Sequence, residues 1–375
     1  HGEMEKLRCI TNWLKACGVT ALSLVDAPDP RVTDGQRPNL VARIPGKSSR
    51  TLWLFGHTDV VPPGDLAAWT SNPWQVRRDG DFLYGRGVED NQQAIVSMLL
   101  LAEEVLSQGI TPELSLGLVF MADEETGSLY GLEHLLNTAP HFFNPDDLYI
   151  VPDAGSSKGD VIEIAEKSQL WLKVQTTGIQ CHGSTPQKGR NAFLAGADMA
   201  LSCHNALRSA FADANPLFDP PYSTFVPGKH EANVPNINTV PGNDVFYIDC
   251  RLLPHVDMDS VLAKMREVAA EVAEKHTVQI QVSVVQRQDA TAIPQTGTVV
   301  TALKAAIARI YGVQAQAVGI GGATVAAFLR QKGLPAAVWG CLENTCHQPD
   351  ERSSITATIK DSQVFAHILM NAAHV

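Results

Sequence analysis

A chain of 375 residues is too long for one ordinary domain and suits two or three of ~100–200 residues each. Its 45% hydrophobic content supports a substantial core and excludes general disorder. The 40 acidic against 29 basic side chains give a formal charge of −11, which argues against nucleic-acid binding but lets a few local arginines receive an anionic substrate.

Seven cysteines, none spaced Cys-x-x-Cys, read as reduced thiols of a cytoplasmic protein rather than a disulfide frame. No apolar run is long enough to span a bilayer, so no membrane association is expected. There is no charged-then-apolar leader. The chain begins His1-Gly2 without methionine, which reads as a remnant or an internal start and leaves a removed leader open.

In chain order, Glu3 to Cys17 has helical periodicity and ends at Gly18. Val19–Val25, Leu40–Ile44 and Thr51–Phe55 read as strands. The third runs into Gly56-His57-Thr58-Asp59, and strand C-terminal ends are where α/β sheets gather functional groups. His57 can offer a ring nitrogen to a metal, with Asp59 fixing the imidazole; alone, the pair reads equally as a local polar network. Trp69 and Trp74 are expected to cover a core edge. Phe82 to Asn91 closes a short strand and opens a helix over Ala94–Leu106, so apolar that it should be buried. Asp90 at its start is either a cap or a ligand.

Leu114–Met121 is an apolar strand ending in Asp123-Glu124-Glu125, three acids that repel unless cations or protons relieve them. Ser128–Leu136 reads as a helix. Leu148–Val151 is another apolar strand, ending in Pro152-Asp153. Three strand ends thus deliver His57, Glu124/Glu125 and Asp153, and the repetition favours a metal site over a polar network.

The pattern then changes. Gln169–Thr176 alternates as a half-exposed strand. Cys181 to Pro186 reads as a loop, Asn191–Leu207 as a helix and Pro216–Asn233 as a Pro-rich connection. Pro235–Val240 and Asp244–Leu252 read as strands, Val256–Lys275 as a helix and Val278–Val285 as a strand. The order β-α-β-β-α-β is that of a ferredoxin-like α+β unit. The expected organisation is a catalytic domain in two parts, 1–166 and 289–375, with an inserted domain over 167–288. After Pro294 the α/β rhythm resumes, through Gly321-Gly322-Ala323-Thr324 and the strand Pro335–Trp339, to Cys346-His347 and a last helix over Thr358–Met370.

Imidazoles and carboxylates in this ratio suit two divalent ions sharing one carboxylate, zinc above all, with cobalt or manganese also suited. His57, Asp90, Glu125, Asp153 and His347 supply five such groups. Glu124, left over beside a ligand, is a candidate general base that takes a proton from water for attack on an amide carbonyl. Cys181 and Cys346 are either thiol ligands or small buried fillers.

These motifs resemble the dinuclear zinc aminoacylase and desuccinylase superfamily, which includes deacylases, dipeptidases and carboxypeptidases. The resemblance is carried by Gly56-His57-Thr58-Asp59, Gly85-Arg86-Gly87-Val88-Glu89-Asp90, Asp123-Glu124-Glu125-Thr126-Gly127-Ser128, Pro152-Asp153, His182-Gly183-Ser184-Thr185-Pro186 and the His347 segment. It spans nearly the whole chain. It implies an α/β fold, with a mixed-sheet zinc-peptidase-like catalytic domain and the inserted unit as a lid and homodimerisation domain closing about hinges near Lys167 and Gln288. It implies two zinc ions, with His57 and Asp153 on one, Glu125 and His347 on the other, Asp90 bridging, Asp59 supporting and Glu124 as base. His182 would reach a partner's site to steady the oxyanion, or else bond its own turn. Arg251, Asn238, Gly321 and Gly322 would meet a substrate carboxylate. The implied activity is hydrolysis of an N-acyl amino acid (succinyl- or acetyl-type) or a small peptide; a carboxypeptidase or dipeptidase and an inactive ligand-binding relative are the alternatives. Desuccinylases continue the Gly321 turn with Asp and Arg, whereas this chain has Val325-Ala326, and an aspartate at 153 goes with the peptidase members.

Overall fold

The computed structural model describes residues 3–290 and 292–371. The expected start at His1-Gly2 and the last four residues of the range 289–375 lie outside them. The chain forms two compact units: one over 3–164, 293–318 and 324–371, the other over 165–290, 292 and 319–323.

The first unit is built on an eight-stranded mixed sheet. Its leading elements are α1 (Met4–Ala16), β1 (Ala21–Leu24), β2 (Leu40–Ile44), β3 (Thr51–His57), α2 (Gln92–Ser107), β4 (Ser115–Met121), α3 (Leu132–Thr138), β5 (Leu148–Ser156) and β6 (Val161–Glu166). α1 buries Leu7, Ile10 and Leu14, the spacing of one helical face. Every residue of β3 and β4 is buried, as expected of strands covered on both faces. α2 buries most of its apolar length but leaves Val96 on the surface.

The second unit follows with β7 (Ser168–Thr177), α4 (Ala192–Ala210), β8 (Thr224–His230), β9 (Asn243–Leu252), α5 (Met258–His276) and β10 (Gln279–Gln288). Its antiparallel sheet has the order β8-β9-β7-β10, which is ferredoxin-like. The strand pairing with β9 differs from the sequence reading. Pro235–Val240 forms only a two-residue strand, Thr239–Val240, which pairs with Cys181–His182, read from sequence as loop. The supposed Pro-rich connection supplies β8 instead. Pro227 and Gly228 sit inside it with a register shift before His230, and an edge strand tolerates a missing donor there.

The chain returns to the first unit with α6 (Thr298–Tyr311), β11 (Gln316–Ile320), α7 (Ala326–Gln331), β12 (Ala336–Cys341) and α8 (Ile355–Asn371). The large sheet runs β1-β2-β4-β3-β5-β12-β6-β11. β4, β3, β5 and β12 are mutually parallel, so their C-terminal ends lie along one edge. Close packing fixes their register. A Cβ at Gly117 of β4 would fall 2.2 Å from the Trp53 ring of β3, and Trp53 Nε1 is itself held by Asp147 Oδ2 at 2.9 Å. Trp69 is buried as expected, but Trp74 is exposed. All seven cysteines are free. No helix among the described residues is long and apolar enough to cross a membrane.

Candidate metal centre

Each parallel strand contributes to one cluster at or near its C-terminal end; β5 runs on to Ser156, so Asp153 lies inside it rather than beyond it. His57 is the last residue of β3 and is fully buried. Its Nδ1 lies 3.1 Å from the Asp59 carbonyl oxygen and 3.4 Å from Asp59 Oδ1. Its Nε2 lies 2.7 Å from Asp90 Oδ1 and 3.6 Å from Asp153 Oδ1. His347 approaches from beyond β12, with Nε2 3.1 Å from both Asp90 Oδ2 and Glu125 Oε2. Asp90 therefore points one oxygen at each imidazole.

Asp90 does not cap α2. The residue before that helix is Asn91, whose side chain makes no capping bond. Asn91 instead donates from Nδ2 to Asp153 Oδ1 at 2.7 Å and accepts the His57 amide on Oδ1 at 3.3 Å. It joins the ends of β3 and β5, a role not read from the sequence.

The three acids after β4 divide their work. Asp123 adopts a left-handed conformation (φ 62°), and its carboxylate accepts the Thr126 hydroxyl and the Tyr130 amide, turning the chain. Glu124 and Glu125 then open a short 3-10 turn, whose amides bond Asp59 Oδ1 at 3.1 Å and Oδ2 at 3.0 Å. Asp59 thus fixes His57 and aims both glutamates.

Two further acids hold the loops. Glu351 is fully buried; it accepts Arg86 Nη1 at 2.5 Å and the amides of Gly87, Glu89 and Asp90 at 2.9–3.0 Å. Gly87 has φ +82°, and a Cβ there would lie 2.5 Å from Val60. Glu89 accepts the Asn344 amide at 2.9 Å and the Thr345 amide and hydroxyl at 2.6 and 2.7 Å. A polar triplet beside Asp90 and a second acid after Asp350 were the only sequence signals for these roles.

The electrostatics follow from crowding. Burial and the neighbouring Asp153 push the Glu124 carboxyl up to about 8. Burial and Asp90 raise Glu125. For His57 burial works downward, but Asp153, Asp59 and Asp90 outweigh it and leave the imidazole well above its usual range. The hydrogen bond to Asp90 lifts His347 to about 9. Ligand atoms of His57, Glu124 and Asp153 lie within 4.8 Å of one another, as do those of His57, Asp90 and Glu125. Glu125 Oε1 is buried with no hydrogen-bond donor among the described residues. Two overlapping groups of imidazole and carboxylate, with an acceptor unmet among the described residues, fit divalent cations.

The remaining sequence candidates, apart from Cys346, belong to the second unit. His182 is exposed, with Nδ1 2.8 Å from Ser184 Oγ, so it bonds its own turn. Arg251 is held by Asp249 at 2.8 Å and donates to the Gly321 carbonyl at 3.2 Å. Asn238 accepts from Asn236 at 2.8 Å, and Gly322 is exposed. The fillers read at Cys181 and Cys346 are not buried: Cys181 is part-exposed and Cys346 exposed.

A mixed α/β sheet with such a cluster at its parallel strand ends defines a metal-dependent hydrolase. Residues 53–371 match the model of Peptidase family M20/M25/M40, and the chain belongs to that family as one of its metallohydrolases. It is 37% identical to an uncharacterized metallohydrolase of Methanococcus maripaludis, over 98% of this chain and 93% of that one. It is 27% identical to the succinyl-diaminopimelate desuccinylase of Stenotrophomonas maltophilia, over 82% and 80%. The fold is shared with the aminopeptidase PepT from Bacillus cereus, at a TM-score of 0.80 and 18% identity, covering 99% of this chain and 93% of that one. Family membership implies divalent metal ions and a small-molecule or peptide substrate.

Proposed function

We propose that the protein hydrolyses the amide bond of an N-acyl amino acid or small peptide bearing a free carboxylate, with two zinc ions. The observation that carries this reading is Asp90, whose two oxygens lie 2.7 Å and 3.1 Å from His57 and His347. A carboxylate set between two imidazoles suits a shared ligand. His57 and Asp153 would hold one ion, and Glu125 and His347 the other; cobalt or manganese also suits this donor set.

Bound zinc would supply Lewis acidity and lower the pKa of water towards ~7. Glu124 takes the proton of the attacking water and returns it to the leaving amine. Distance alone places Glu124 among the candidate ligands, beside His57 and Asp153. Its role as base is favoured by a carboxyl raised to about 8, a range suited to proton transfer near neutral pH. Asp59 and Asn91 keep His57 and Asp153 oriented. On the motif resemblance, His182 steadies the oxyanion across a homodimer, and Arg251, Asn238, Gly321 and Gly322 meet the substrate carboxylate in a lid. Unpaired cysteines support a cytoplasmic setting.

A dipeptidase or carboxypeptidase variant of the same chemistry is favoured by the aspartate at 153. The test is a panel of N-succinyl, N-acetyl and dipeptide substrates with zinc-loaded wild type and Glu124→Ala. Turnover by wild type and a loss of about 10²–10⁴ in the variant are expected. Full turnover by the variant removes the assigned base.

A further inference from the structure

One face of the second unit's sheet carries an arginine whose charge is already answered. β9 alternates towards its end: Ile248, Cys250 and Leu252 are buried, while Tyr247, Asp249 and Arg251 are part-exposed on the opposite face. Asp249 and Arg251 are therefore neighbours along one side of the strand.

Their contact is bidentate. Arg251 donates from Nε to Asp249 Oδ1 at 2.8 Å and from Nη2 to Oδ2 at 3.1 Å. Two such bonds fill one whole edge of a guanidinium, the geometry with which arginine receives any carboxylate. Nη1 donates to the Gly321 carbonyl at 3.2 Å. Trp171, opposite Asp249 in the β7–β9 pairing, donates from Nε1 to Oδ1 at 3.1 Å and holds the carboxylate in that pose. All four residues belong to the second unit. The Arg251 side chain is 24% exposed and that of Asp249 44%, so the pair is open to an incoming ion. An ion pair so wetted adds little to stability.

We propose that Asp249 is a specificity-determining residue, an internal carboxylate that competes with the substrate's for Arg251. An arriving carboxylate must either displace Asp249 from the Nε edge or accept the remaining N–H groups beside a like charge. Either route weakens its hold by about what an exposed bidentate pair is worth, about fivefold in affinity. Asp249 thereby limits how strongly a free carboxylate is preferred over a neutral end. It takes no part in bond cleavage. This rests on the reading above in which Arg251 meets the substrate carboxylate.

The test takes whichever N-succinyl, N-acetyl or dipeptide substrate the zinc-loaded wild type hydrolyses best, together with its C-terminal carboxamide. Asp249→Asn should raise the acid-over-amide ratio of kcat/KM about fivefold, through KM. Asp249→Ala should do the same and serves if the first variant does not fold. In an Arg251→Gln background the ratio should be low and Asp249→Asn should no longer raise it. A merely structural role would lower both substrates alike. A ratio that falls in Asp249→Asn, or holds within about twofold, overturns the proposal, the fall marking Asp249 as an orienting partner of Arg251. An undiminished ratio in Arg251→Gln removes the carboxylate contact and the proposal with it. Hydrolysis of nothing by wild type counts instead against the amide-hydrolase reading. Calorimetry with an N-acetyl amino acid then decides: tighter binding in Asp249→Asn upholds the proposal, and equal, weaker or absent binding overturns it.

Discussion

Glu89 and Glu351 hold each other's segments in place. Glu351, from the segment that bears His347, accepts the amides of Gly87, Glu89 and Asp90. Glu89, from the segment that bears Asp90, accepts those of Asn344 and Thr345. Each carboxylate reaches across to fix the backbone carrying the other segment's candidate ligand. The His347–Asp90 separation of 3.1 Å is set by this mutual grip as much as by the sheet.

Removing one half of the grip should therefore damage the centre without touching it. Glu351→Ala leaves Arg86 buried and unpaired and is expected to cost about 3–5 kcal/mol of stability. Glu351→Gln keeps an acceptor and should fold, while losing activity through a displaced Asp90. Urea unfolding and kcat on the same preparations check both; Glu351→Gln with normal kcat and metal affinity would contradict the clamp.

Stripping the metals should destabilise the protein. Asp90, Glu124, Glu125 and Asp153 crowd around His57, and chelation leaves their mutual repulsion uncompensated. Zinc added back at 100 times its Kd should restore about 2.7 kcal/mol. In Asp90→Asn the gain should shrink, because the carboxylate set between His57 and His347 is lost. Thermal unfolding against zinc concentration measures both effects.

A further buried acid gives a pH dependence of its own. Asp361 in α8 accepts Gln93 Nε2 at 3.0 Å and the Cys341 amide at 3.3 Å, and burial pushes its carboxyl up to about 7. Protonated, it can donate to Tyr311 Oη, 2.7 Å away, which in turn donates to the Ala357 carbonyl at 3.2 Å. A carboxyl raised on folding stabilises fully below its unfolded pKa of ~3.9, and that contribution is lost as pH rises through about 7. Asp361→Asn mimics the protonated form with the same bonds. It should flatten the fall in stability between about pH 4 and 7 and leave the variant the more stable above that window. Denaturant midpoints of both proteins across that range test the sign.

Gly117→Ala tests the sheet itself. The added methyl meets the Trp53 ring, which cannot tilt without breaking its bond to Asp147. A loss of about 1–3 kcal/mol is expected, with little change in KM. Unfolding curves alongside steady-state kinetics separate the two quantities.

The candidate ligands were legible because the chemistry interrupts an otherwise apolar text. Strands buried on both faces are nearly unbroken runs, so His57, Glu124, Glu125 and Asp153 stand out where they end. Asp59 was legible as a support, but the loop clamps were not, because Glu351 next to Asp350 looks like any solvated acid pair. Only the fold shows that one is buried on backbone amides while the other caps Thr70 at the surface. Asp90 alone reads equally as cap or ligand, because both roles fall at a helix start; the other strand-end groups are what favour the ligand. β8 was hidden by Pro227-Gly228, a turn signal nearly everywhere except at the edge of a sheet.

The grip between Glu89 and Glu351 also sets a timetable. Glu351 follows Gly87 by 264 residues. At ribosomal rates of ~5–20 residues per second, about 10–50 s pass between the appearance of the two halves. Through that interval the early histidine and carboxylates are present without their closing segment, so a nascent chain halted before His347 should capture zinc more weakly than the released protein. The centre is thus completed late in synthesis, after most of the sheet that carries it has been made.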